Sequence, residues 1–232
     1  MVLPFYDMKK TLLIVFTTLL FSQAKAQMYL IDKISLPATN EVFGFYTDIN
    51  VEENDCIYFD LQTPDPEQKA RAKLSSYDVN AFLSALKKAT SIFVEWAQIA
   101  KKNNCKLLSK QIPVSFNDLT IFFFQNNKWF FEEGVDMRSL FFVDDIGNCH
   151  FILQSDYMTS QETIAETSSR ILTFTTTLLG GYSNSQLSLA RYCSGSSLTF
   201  NSKDEIDEFI NKINATIDWK EQNINNGKLF KK

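Results

Sequence analysis

From Tyr77 to about Lys102 the apolar side chains recur at helical spacing. Val79, Phe82, Leu83, Leu86, Phe93, Trp96 and Ala100 fall on one stripe, and Lys87, Lys88, Glu95, Lys101 and Lys102 largely fall off it. This predicts one long amphipathic helix with Ser75 or Ser76 as its N-cap, because a hydroxyl there accepts from an otherwise unpaired first-turn amide. A second helix closes the chain, with Ile206, Phe209, Ile210, Ile213 and Ile217 as its apolar stripe. Ser202-Lys203-Asp204-Glu205 before it fits a capping box, the Ser202 hydroxyl accepting from the Glu205 amide and the Glu205 carboxylate reaching back. Asp204, Glu205, Asp207 and Glu208 place negative charge where the helix dipole is positive.

Elsewhere the period is two. Met28 to Ser35, Val42 to Ile49 and Cys56 to Leu61 are rich in β-branched and aromatic residues and predict strands. Residues 62–75, with Pro64 and Pro66, read as a loop leading to the long helix, since proline removes ladder donors. Ile112 to Phe116, Leu119 to Phe124 and Lys128 to Glu132 predict further strands, the last two joined by Asn126-Asn127, residues that tolerate positive φ. Arg138 to Val143 and Cys149 to Gln154 predict a hairpin around Asp145-Ile146-Gly147-Asn148. Strands are also expected at Arg170 to Leu179, Leu187 to Cys193 and Ser197 to Phe200, with Gly180-Gly181 in a turn. The order predicts an α+β fold: a largely antiparallel sheet packed against a long central helix and a C-terminal helix, as a single domain over 27–232.

The first 26 residues read differently. Lys9 and Lys10 precede an apolar run from Thr11 to Phe21, and Ala24 and Ala26 stand as an A-x-A cleavage signal. The run is about half of the roughly 20 residues that a membrane span needs, so it reads as a removed signal peptide rather than an anchor. Position 27 is Gln, not the cysteine that a lipoprotein would carry. The expected product is exported, periplasmic or extracellular, without a membrane anchor.

Removal of that segment leaves 20 basic and 26 acidic residues, a net charge of −6. Without a long basic run such a chain has little means of neutralising several phosphates, so no nucleic-acid partner is expected. Phe numbers 21 against 7 Gly and 5 Pro, which favours a phenylalanine-rich core over disorder. Cys56, Cys105, Cys149 and Cys193 make disulfides possible in an exported chain. They are spaced 49, 44 and 44 residues apart, which is no metal clip, and neither a metal nor a cofactor is expected.

Candidate chemistry is sparse. His150 is the only histidine; on its strand it shares a face with Ile152 and Gln154, opposite Cys149, Phe151 and Leu153. A thiol enzyme or small hydrolase could pair His150 with Cys193 if the fold brought them together. Glu132-Glu133 and Asp144-Asp145 are adjacent on strands and so point to opposite faces, which disqualifies each pair as a glycosidase dyad. Trp129 alternates with Phe131, opposite Phe130, and an open aromatic face on an antiparallel sheet is the one hint of a binding surface. The preferred expectation is a non-catalytic binding module of the bacterial envelope or secretome, with a protein or envelope component as partner and an oligomeric state that the sequence leaves open.

Overall fold

The computed structural model describes residues 28–48, 56–160 and 192–229. Its elements are β1 (Met28–Leu36), β2 (Glu41–Asp48), β3 (Cys56–Leu61), β4 (Lys69–Ser75), α1 (Ser76–Lys102), β5 (Leu108–Gln125), β6 (Lys128–Val143), β7 (Cys149–Ser155), β8 (Met158–Thr159), β9 (Tyr192–Cys193), β10 (Ser197–Phe200) and α2 (Lys203–Leu229). Eight strands form one sheet in the order β1-β2-β3-β4-β5-β6-β7-β10, antiparallel at every pairing, and β8 and β9 form a separate small ribbon. With two helices packed on the sheet, the fold is α+β.

Local chemistry explains most of these elements. Ser75 caps α1 in extended conformation and accepts from the Asp78 amide. Asn126 and Asn127 take φ of 51° and 61°, the left-handed pair that a two-residue hairpin turn requires, and join β5 to β6. At α2 the Ser202 hydroxyl accepts from the Glu205 amide at 3.2 Å. The Glu205 carboxylate reaches the amide of Asn201, one residue before the position that a standard capping box uses.

The expected loop over 62–75 requires correction, because its second half is strand β4. In Lys69-Ala70-Arg71-Ala72-Lys73-Leu74 the small or apolar residues are buried and the cations face outward, a strict alternation. The strands expected at 112–116 and 119–124 are one strand, as are those at 128–132 and 138–143. Bulges interrupt the β5–β6 pairing, and Asp118 and Gly134 adopt positive φ of 58° and 71° within it. Such bulges add local twist, which lets a long hairpin coil. Of the later expectations, 170–179, Gly180-Gly181 and most of 187–193 lie outside the described residues, while Ser197–Phe200 is β10.

Both helices pack on one face of the sheet. α1 lies against β4 to β7, and α2 against β1, β2, β3 and β10, so the long helix shares the face rather than holding its centre alone. For α2 to touch strands at both ends of the strand order, the sheet must curl. The curl is closed by backbone: Gln62, just after β3, exchanges hydrogen bonds of 2.9 and 2.8 Å with Ser197 of β10. Phe209 of α2 fills the enclosed space, its ring 5.3 Å from Phe45 and Phe59 and 5.4 Å from Phe200. From α1, Phe82 meets Phe59 and Phe116, and Phe93 meets Phe141 and Phe151. The buried apolar side chains of both helices and the sheet form one continuous cluster. Among the described residues no helix is long and apolar enough to cross a membrane.

None of the four cysteines is joined in a disulfide, so the disulfides that the even count allowed are not present. Cys56, Cys149 and Cys193 are buried within or against the sheet, where they behave as small apolar side chains.

Candidate binding face

His150 and Cys193 occupy different places. His150 stands at the start of β7 on its outward side, stacked on Phe142 at 5.8 Å, with Nδ1 2.7 Å from Asn201 Oδ1 and Nε2 3.4 Å from Asp144 Oδ2. Cys193 is fully buried, opposite Met158 and beyond the far end of β7, and its thiol donates to the Gly195 carbonyl. The length of β7, on the order of 17 Å, separates the two levels. The fold therefore does not bring this pair together. Burial pushes the Cys193 thiol up, away from the thiolate that a nucleophile needs.

A groove of about 520 Å³ does open beside His150, between α1 and the start of α2, lined in part by Phe93, Ala97, Lys101, Cys149 and Asn201. Burial also raises the Cys149 thiol, against the opposing pull of the Lys101 ammonium. The polar centre of this region is Asp144, and its role is to shape the turn. Its Oδ1 accepts from the amides of Ile146, Gly147 and Asn148 at 3.0, 2.7 and 2.7 Å, and its Oδ2 accepts from the Asn148 side chain at 2.9 Å. Partial desolvation acts to raise this carboxyl, but the hydrogen bonds from Asn148, His150 and Gly147 outweigh it and hold the pKa down at about 2. A carboxylate depressed in the folded state stabilises the fold above its unfolded pKa, and that contribution is lost as pH falls from about 4 to about 2. Thermal melts of the wild type and Asp144→Asn are therefore expected to differ at pH 5–7 and to converge as the pH approaches 2; a gap that stays constant over that range would contradict this account.

The other candidates, Trp129 and Phe131, sit on the side of the sheet away from the helices, with Phe130 buried between them. They remain 40 % and 37 % exposed. The register builds their surroundings strand by strand. Trp129 pairs with Phe124, which pairs with Lys69; Phe131 pairs with Phe122, then Arg71, then Asp60. The aromatic pairs are in ring contact, Phe124 with Trp129 at 5.4 Å and Phe122 with Phe131 at 5.6 Å, and Phe122 also meets the edge of Tyr58.

Arg71 is the hub of this face. Its guanidinium lies 3.9 Å from the centre of the Tyr46 ring and 4.9 Å from that of Trp129, stacking on both. Its Nε donates to Asp60 Oδ1 at 2.8 Å, and Asp60 Oδ2 accepts from the Tyr46 hydroxyl at 2.9 Å and from the Gly44 amide at 2.8 Å. Burial, then the Asp60 hydrogen bond, raise the Tyr46 phenol, so it stays a neutral donor. Gly44 is small because the Tyr46 ring folds over it; a Cβ there would collide with that ring. Arg71 and Tyr46 thus fix the orientation of Trp129 from strands far from it in sequence.

Sequence reasoning found the two exposed rings and missed the cations between the aromatic rows. The signal that could have found them is the alternation Lys69, Arg71, Lys73 with Ala70, Ala72, Leu74. Among the described residues no group of three or more acidic, histidine or cysteine side chains is placed to hold a metal. No protein-family model matches the chain, and no curated protein or solved structure matches it.

Proposed function

We propose that the protein is an exported, non-catalytic binding module whose outer sheet face takes hold of another macromolecule, a protein or a component of the cell envelope. The observation that carries this reading is the pair Trp129 and Phe131, large apolar rings left open to solvent on a face whose other members hold them in place. Trp, Tyr, Phe, Met and Arg are the residues enriched at protein interfaces, and this face gathers Trp129, Tyr46, Phe131, Met28 and Arg71. Fixed rings lose little side-chain entropy on binding, which favours affinity. The lysines, apolar run and A-x-A signal of the first 26 residues support export.

The test is site-directed photocrosslinking in the producing cell. A benzophenone amino acid at Phe131 is expected to yield discrete adducts, and one at Ser84, on the exposed side of α1, is not. Combining the Phe131 probe with Trp129→Ala is expected to reduce the adduct about tenfold or more, as for an interface anchor. Equal adducts from both positions, or a yield that ignores Trp129→Ala, would remove this face as the binding surface.

A further inference from the structure

The geometry points to an extended acidic segment of a protein as the ligand of this face, with carboxylates meeting Lys69 and Lys73 and an apolar side chain between them. This rests on the outer face being the binding surface. The charge pattern supports it. Strand β4 runs through the middle of the face and turns three cations outward, Lys69, Arg71 and Lys73, between the Tyr46–Tyr58 side and the Phe122–Phe124 side. Asp60 is engaged by Arg71, and Glu133, which shares the parity of Trp129 and Phe131, stands two strands from Lys73 across Thr120 and makes no ion pair with it. Among the described residues Lys69 and Lys73 make no ion pair, so two cations stand uncompensated within an aromatic surface of a chain whose overall charge is negative.

Spacing selects the form of the ligand. Alternate residues on a strand are about 6.5–7 Å apart, so Lys69 and Lys73 stand on the order of 13 Å from each other, a distance that four residues of an extended ligand also span. Arg71, halfway between, is already neutralised by Asp60 and stacked on Tyr46 and Trp129. A ligand side chain reaching that level meets ring surface rather than free charge. The favoured pattern is therefore acid, any residue, apolar, any residue, acid. Single-stranded nucleic acid would need, besides ring faces for its bases, a basic groove that follows its backbone. Here Lys69 and Lys73 are the two cations of β4 not already paired, too few to track a run of phosphates along a strand.

The probe is a fluorescein-labelled peptide repeating Glu-Ser-Leu-Ser, titrated with the purified protein and followed by anisotropy, beside the same peptide with Lys for Glu and a labelled oligothymidylate. Saturable binding of the acidic peptide is expected, weakening with added salt and by about tenfold or more in Lys69→Glu/Lys73→Glu, or in Lys69→Gln/Lys73→Gln should charge reversal disturb the circular dichroism spectrum. Binding that Trp129→Ala abolishes but the lysine variants leave unchanged would overturn the acidic ligand and leave the face standing. Tighter binding of the oligothymidylate or of the Lys peptide would overturn it in favour of those chemistries. Acidic-peptide binding indifferent to all the variants would overturn both the ligand and the face, and no binding of that peptide at all would overturn the ligand.

Discussion

Phe209→Ala is expected to destabilise the fold by about 3–5 kcal/mol, the cost typical of emptying a buried phenylalanine site. The ring is fully buried and touches Phe45, Phe59 and Phe200, which belong to strands from both parts of the curled sheet. These neighbours are locked by backbone pairing and cannot collapse freely into the cavity, which places the loss toward the upper end. Small domains have a total stability of about 5–15 kcal/mol, so the variant should approach the limit of folding. Urea unfolding followed by far-ultraviolet circular dichroism reads the change. Phe131→Ala is the informative comparison: it removes the same side chain from the outer face and should cost about 1 kcal/mol, the scale of a cross-strand aromatic pair. Similar losses in the two variants would mean that the outer face is as structural as the core, and would count against its reading as a binding surface.

Asp48→Ala is expected to cost about 3 kcal/mol or more, because it removes the carboxylate that balances the buried charge of Lys220. Lys220 of α2 donates to Asp48 Oδ1 at 3.1 Å and to the Cys56 carbonyl at 3.2 Å, and both members of the ion pair are almost wholly buried. Tyr58 donates to the other Asp48 oxygen at 3.2 Å, and burial together with that carboxylate raises its phenol well above the ordinary range. Breaking a buried pair from one side is costly, whereas replacing all its members with apolar groups of similar volume is often close to neutral. The combined variant Asp48→Leu/Tyr58→Phe/Lys220→Met should therefore recover most of the lost stability. Denaturant midpoints of the single and combined variants decide the matter: if the combined variant falls as far as Asp48→Ala, the network contributes net stability and not only an interdependence of its charges.

The parts of this fold that were legible in sequence are those governed by neighbours along the chain. The stripe from Val79 to Ala100, the hydroxyl of Ser75, the Asn126-Asn127 turn and the Ser202 cap each depend on residues within a few positions, and each forms where the pattern places it. Strand β4 escaped because Pro64 and Pro66 suggested a loop, and because Lys and Ala are poor strand formers taken alone. Its conformation comes from β3 and β5 on either side, a tertiary influence that overrides local preference. The same holds for the binding face. Trp129 and Phe131 were visible as alternating rings, but Arg71, Tyr46 and Asp60 converge on them only through the pairing of distant strands. His150 shows the reverse case: its face was read correctly, while its partners Asn201 and Asp144, rather than Cys193, follow from where β7 ends and α2 begins.

The closure of the sheet by Gln62 and Ser197, with Phe209 behind it, has a consequence for the order of events during synthesis. Ser197 and Phe209, the partners that Gln62 and the sheet interior require, follow β1 to β7 in the chain, so a nascent polypeptide that has completed those seven strands still lacks both β10 and the helix that fills its interior. Contacts between residues this far apart form slowly, and until they form Phe45 of β2 and the side of Phe59 turned away from Phe82 lack the Phe209 ring that covers them. Completion of the core therefore waits on α2, the last of the described elements to be made.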